Sequence, residues 1–168
     1  MTRPGLRPGT GTDGTDATRL ARAIELGRRA GTEGNRPFGA VLVAADGSVL
    51  AEGRNTVRTT GDITAHAESH ALRAAGTARG PAAVRGATLY ASGEPCPMCA
   101  TALYLAGVER VVYGFAAADM RRIGSADDPF IGLGCREVLA HGDRPVTVTG
   151  PVHEGAGAVF TRAPDPAP

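Results

Sequence analysis

His66, Glu68, Cys96 and Cys99 are the residues of this chain whose types and spacing could do chemistry together. Cys96 and Cys99 bracket Pro97 and Met98. Proline suits the first turn of a helix, where its missing N–H would have no partner anyway. Both sulfurs then share one face at a helix N-terminus, where the macrodipole and free N–H groups favour thiolate, the form that binds metal. A C-x-x-C pair by itself also suits a redox couple or two buried cysteines. His66-Ala67-Glu68, again at a helix start, supplies what the pair lacks. One nitrogen and two sulfurs leave a tetrahedral Zn²⁺ an open fourth position for water, which means catalysis rather than scaffolding. Two thiolates offset the metal's charge and make that water less acidic, so a general base nearby becomes useful, and Glu68 is the candidate. Taken singly, His66 reads as a helix-capping histidine and Glu68 as a solvated acid; together with the cysteines that reading reverses. His70 does not complete an H-E-x-x-H pattern and reads as a packing or surface histidine. Cys135 has no partner in sequence and reads as a buried or idle thiol.

Something must hold these four side chains in place. A first helix is expected from Asp16, as N-cap, to Gly31, with Leu20, Ala23, Ile24 and Ala30 along one face. FGAVLVAA and VLAEGRN, joined through Asp46-Gly47-Ser48, read as an antiparallel hairpin. TAHAESHALRAAG predicts a second helix with His66 in its first turn. ATLYAS then reads as a strand, GEPCPMC as a sharp junction, MCATALYLAG as a helix stopped by Gly107, and VERVVYGF as a strand. Strand, helix and strand in about 30 residues make a βαβ unit, which requires a parallel pair with a right-handed crossover. Residues 116–130 read as a polar loop, 130–140 as a short helix and VTVTG as a last strand. The expected architecture is a mixed sheet with helices on its faces, in one domain over residues 16–160. Residues 1–15 and 161–168 are too polar to bury anything and read as flexible tails.

Composition sets the bounds. A chain of 168 residues can bury one proper core. Hydrophobic residues at 42% and charged residues at 21% are those of a soluble globular protein. A net charge of +1 gives no bulk attraction to nucleic acid, so no nucleic-acid partner is expected. All 18 basic residues are arginine, a bias that carries no binding role. Three cysteines with one close pair do not make a disulfide framework and fit a reducing cytoplasm. No apolar run approaches the roughly 18 residues of a membrane span, and the start lacks the apolar middle of a signal peptide.

The H-x-E and P-C-x-x-C elements together are the pattern of zinc deaminases. From about residue 37 to 134, through PFGAVLV, TAHAE, TLYASGEPCPMC and VERVVYG, the chain resembles the nucleobase deaminases of the cytidine deaminase superfamily. That resemblance implies a three-layer α/β/α sandwich with a mixed five-stranded sheet and one Zn²⁺ per chain on His66, Cys96 and Cys99. Glu68 would be the proton shuttle, in a homodimeric cytoplasmic enzyme. Within the superfamily, Pro37-Phe38-Gly39-Ala40, Asn55, EPCPMC and ADDPFIG are most similar to bacterial and plant guanine deaminases. By that likeness Asn55 bonds the base, Phe38 and His66 flank its ring, and the Ala67 N–H meets a ring heteroatom. Asp128 would grip the amino edge and assist proton transfer, with Phe130 among the substrate contacts. Asp127-Asp128-Pro129-Phe130 equally suits an ordinary turn. Similar guanine deaminases carry an aromatic-containing tail over the site, whereas this chain has Phe160 and then TRAPDPAP. Another purine, a pterin or a triazine therefore stays open as substrate. The rival readings are a tRNA adenosine deaminase, a cytosine or cytidine deaminase, and a non-catalytic zinc module. The first should show a basic strand-contacting surface, and the last would not need Glu68.

Overall fold

The computed structural model describes residues 14–123 and 129–153. The expected tails fall almost wholly outside these residues, as do Asp127 and Asp128. Helix α1 spans Gly14–Thr32 and buries Leu20, Ala23, Ile24, Leu26 and Ala30. Strands β1 (Gly39–Val43) and β2 (Val49–Arg54) form the expected hairpin. Its turn is closed by the Asp46 carboxylate accepting the Ser48 N–H at 2.9 Å, with Gly47 at φ 87°. After the short helix α2 (Val57–Thr60) come α3 (Ala67–Arg79), β3 (Thr88–Gly93), α4 (Pro97–Ala106) and β4 (Arg110–Phe115). Helices α5 (Ala117–Ile123) and α6 (Cys135–Ala140) precede β5 (Thr147–Thr149).

The strands form one sheet in the order β2-β1-β3-β4-β5. β1 is antiparallel to both neighbours, while β3, β4 and β5 are parallel. The two-residue period of β1 puts Ala40 and Leu42 on one face and Val41 and Val43 on the other. The first face packs with Ala67, Ala71 and Ala75 of α3, Ala100 and Leu103 of α4, and Leu139 of α6. The second packs with Ala23 and Leu26 of α1. The result is the expected mixed five-stranded sheet between helical layers. Among the described residues no helix is long and apolar enough to cross a membrane.

Two expectations change. Asp16 does not cap α1: the helix begins at Gly14, and Asp16 is buried in its first turn. Its carboxylate accepts the Tyr90 hydroxyl at 2.7 Å and two Arg110 N–H groups at 2.7 and 2.6 Å, tying α1 to the sheet. Residues 117–123, expected in a loop, are helical. The cap of that helix comes from a distant residue, described below.

Candidate active site

The putting together of the site begins with close approach. A Cβ on Gly53 would lie 2.1 Å from the Ala67 carbonyl oxygen and 2.7 Å from the Ala71 nitrogen. Only a glycine lets α3 sit directly on β2, and this brings His66-Ala67-Glu68 beside the end of β2. His66 is the N-cap of α3 and Cys96 the N-cap of α4, with Pro97 in the first helical position as its φ preference requires. Both cap residues are extended, at ψ 157° and 166°, which turns their side chains across the two helix starts.

His66 Nδ1 lies 3.6 Å from Cys96 Sγ and 3.7 Å from Cys99 Sγ, and the three donor atoms all fall within 4.8 Å of one another. Tetrahedral zinc with ordinary Zn–N and Zn–S bonds separates its nitrogen and sulfur ligands by about 3.6 Å. The donor set and its spacing therefore fit zinc. The Cys99 thiol and the His66 ring stabilise the Cys96 thiolate and hold that thiol down to about 4. Cys99, donating to Cys96 and fully buried, is pushed up. Thiolate is the form that binds a cation, so metal uptake releases the thiol protons that remain. The His66 ring is raised by its bond to Cys96.

Glu68 sits in the first turn of α3 and is only 7% exposed. Burial pushes its carboxyl up to about 7, with the Cys96 charge acting in the same direction. A carboxyl so placed is poised to exchange protons near neutral pH. His70 stays out of the cluster, its Nδ1 lying 3.2 Å from the Arg54 carbonyl oxygen, and Cys135 is buried as expected.

Asn55 is buried at the end of β2; its N–H donates to the Phe38 carbonyl at 2.9 Å and its Oδ1 accepts the Val57 N–H at 3.2 Å. Phe38 is half-buried, and the His66 side chain does not cap α3, of which Ala67 is the first residue. Phe130 is 48% exposed, with the Arg121 guanidinium 5.6 Å from its ring centre. Asp128 lies outside the described residues.

Three contributors escaped the sequence reading. Ser69 Oγ lies 3.5 Å from Cys99 Sγ, a hydroxyl beside a buried sulfur. Asn35 Oδ1 accepts the N–H groups of Arg58 and Thr59 at 3.0 and 3.2 Å, which staples α2 between Asn55 and His66. Glu94 accepts from the first residues of α5 and α6. Each acts across more than 20 residues or on a neighbour its own motif does not name, so no local pattern announces it.

Comparison with known proteins agrees with this geometry. A guanine deaminase of Bacillus subtilis is 45% identical over 117 residues, covering 68% of this chain and 72% of its own. A tRNA-specific adenosine deaminase of Agrobacterium fabrum is 45% identical over 92 residues, 55% of this chain and 60% of its own. The solved structure of Bacillus subtilis guanine deaminase superposes with a TM-score of 0.59 at 39% identity, covering 67% of this chain and 77% of that one. The chain also spans 21% and 23% of the length of two Deinococcus tRNA(Ile)-lysidine synthases, from Deinococcus deserti and Deinococcus radiodurans, at 41% and 37% identity over 66% and 85% of this chain. Residues 14–115 match the cytidine and deoxycytidylate deaminase zinc-binding region, and the chain belongs to that family.

Proposed function

We propose that the protein is a zinc-dependent hydrolytic deaminase that releases ammonia from a free nucleobase or a similar aminated heterocycle, with guanine, converted to xanthine, as the first choice. The observation that carries this reading is Glu68: a buried carboxyl, raised to about 7, two residues from one donor of a three-donor zinc cluster. A structural zinc site has no use for such a group and takes four protein ligands.

His66, Cys96 and Cys99 would hold the zinc, which supplies a Lewis acid that activates water. Glu68 takes a proton from the attacking water and passes it to the departing amine, so that water and substrate become the oxo product and ammonia. The Phe38 and His66 rings sandwich the base, the Asn55 carboxamide bonds its edge, and the Ala67 N–H meets a ring heteroatom. Asp128 and Phe130 complete the substrate side, by their position in ADDPFIG.

Guanine is favoured by PFGA and Asn55 and by the guanine deaminase relative, whose match covers more of both chains than the tRNA-acting relative's. The second reading, a tRNA adenosine deaminase, rests on that relative's equal identity. Ammonia release measured on guanine, adenine, cytosine, their nucleosides and a tRNA anticodon hairpin separates the two. Glu68→Ala should lose about 10²–10⁴-fold in rate for each proton transfer it serves, while keeping zinc. Near wild-type ammonia release by that variant would sink the mechanism.

We also propose that the enzyme works as a homodimer. Met98, Ala102, Leu105 and Ala106 make a stripe on α4, with Leu105 78% exposed and Met98 41% exposed. Beside it lies a groove of about 320 Å³ between α3 and α4, walled by Leu72, Val84, Ala102 and Ala106. Sedimentation should show a species of twice 17.1 kDa at micromolar concentration; a purely monomeric protein would refute this.

A further inference from the structure

After β3 the chain turns through Glu94 and Pro95 into Cys96, so whatever holds this turn decides where the Cys96 sulfur goes. Glu94 is held from three sides. Its N–H donates to the Phe115 carbonyl at 2.8 Å. One carboxylate oxygen accepts the Ala117 N–H at 2.9 Å and the other accepts the Cys135 N–H at 2.9 Å. Ala117 and Cys135 are the first residues of α5 and α6, so a single side chain caps both helices. α6 has no side-chain cap from its own N-cap residue, Gly134.

Gly134 carries the argument further. Its φ of −70° and ψ of 153° suit any residue, so its backbone does not ask for glycine. A Cβ there would instead lie 2.9 Å from Glu94 Oε1. The glycine makes room for the carboxylate. An ionised carboxylate also matches the two donors chemically, since both its oxygens accept, whereas an amide has one acceptor and would aim its own N–H₂ at a backbone N–H.

We infer that Glu94 is a positioning residue of the metal site: by binding the starts of α5 and α6 it fixes the turn that delivers Cys96 to His66 and Cys99. The inference rests on the zinc reading above. Groups that orient ligands from behind typically change metal affinity about 10–100-fold. A purely structural cap would change stability and leave affinity alone.

The test compares wild type, Glu94→Gln and Gly134→Ala for zinc affinity, by competition with a chelator, and for the visible spectrum of the Co²⁺-loaded protein. Folding of each is checked by circular dichroism. Glu94→Gln should bind zinc about 10–100-fold more weakly with an altered Co²⁺ spectrum. Gly134→Ala should move both in the same direction by crowding the carboxylate, and it decides the matter if the first variant does not fold. Folded variants with wild-type zinc affinity and Co²⁺ spectrum, even if less stable, overturn the role of Glu94. A wild-type protein that takes up no zinc overturns the metal reading as well, and is recognised before any variant is made.

Discussion

Replacing Glu68 by glutamine should make the metal-free protein more stable even as it removes turnover. Glutamine keeps the shape of the side chain and removes its charge. Burial raises the carboxyl from the ordinary 4.5 to about 7, so the folded state holds this proton more tightly than the unfolded chain does. That stabilisation is complete below 4.5 and is lost as the pH rises through about 7. At about 1.36 kcal/mol per pKa unit, the loss amounts to about 3 kcal/mol near pH 8. The glutamine variant has no proton to lose, so under these conditions it should exceed wild type by up to that amount. Urea unfolding in the presence of a chelator, near pH 8 and again near pH 5, measures both. The gap should open at the higher pH and nearly close at the lower one. Bound zinc should narrow it, because a cation beside the carboxylate offsets the cost of its charge. A glutamine variant no more stable than wild type near pH 8 without metal would refute the reasoning.

Other perturbations separate the site from its scaffold. Cys99→Ala should abolish tight zinc binding by metal analysis, since it removes the one fully buried ligand. Gly53→Ala drives a Cβ to 2.1 Å from the Ala67 carbonyl, so α3 must shift; we expect a loss of about 2 kcal/mol in urea unfolding and weaker zinc binding. Asp16→Ala leaves Arg110 and the Tyr90 hydroxyl without their shared acceptor, and should cost about 3 kcal/mol in unfolding while leaving the rate per folded molecule unchanged.

What could be read from the sequence depended on distance along the chain. The hairpin was legible because Asp46-Gly47 states its turn locally, and the two donor helices because Pro97 and the alanine-rich run after His66 mark where they begin. Helix α5 was not, because AAADMRR has no apolar period and its start is capped by Glu94, 23 residues earlier. Asp16 looked like a cap for the same reason in reverse: an acid before an amphipathic run is a cap by local rules. Its real partners, Tyr90 and Arg110, stand 74 and 94 residues away. The zinc cluster joins residues 30 and 33 apart and was still readable, because each half carries its own motif.

The strand directions put the candidate site at one end of the sheet. Phe38 precedes β1, Asn55 follows β2, Glu94 and Cys96 follow β3, and Ala117 follows β4, so all of them gather at one end of the strands. The Asp46–Ser48 turn sits at the opposite end of the strands, about 17 Å away for strands of this length. Asp46, Gly47 and Ser48 are exposed, and among the described residues they stand apart from the groups at the other end. That turn is the natural attachment point for a dye, an affinity tag or a surface tether, and drift in its sequence between lineages should go unpunished by selection on catalysis.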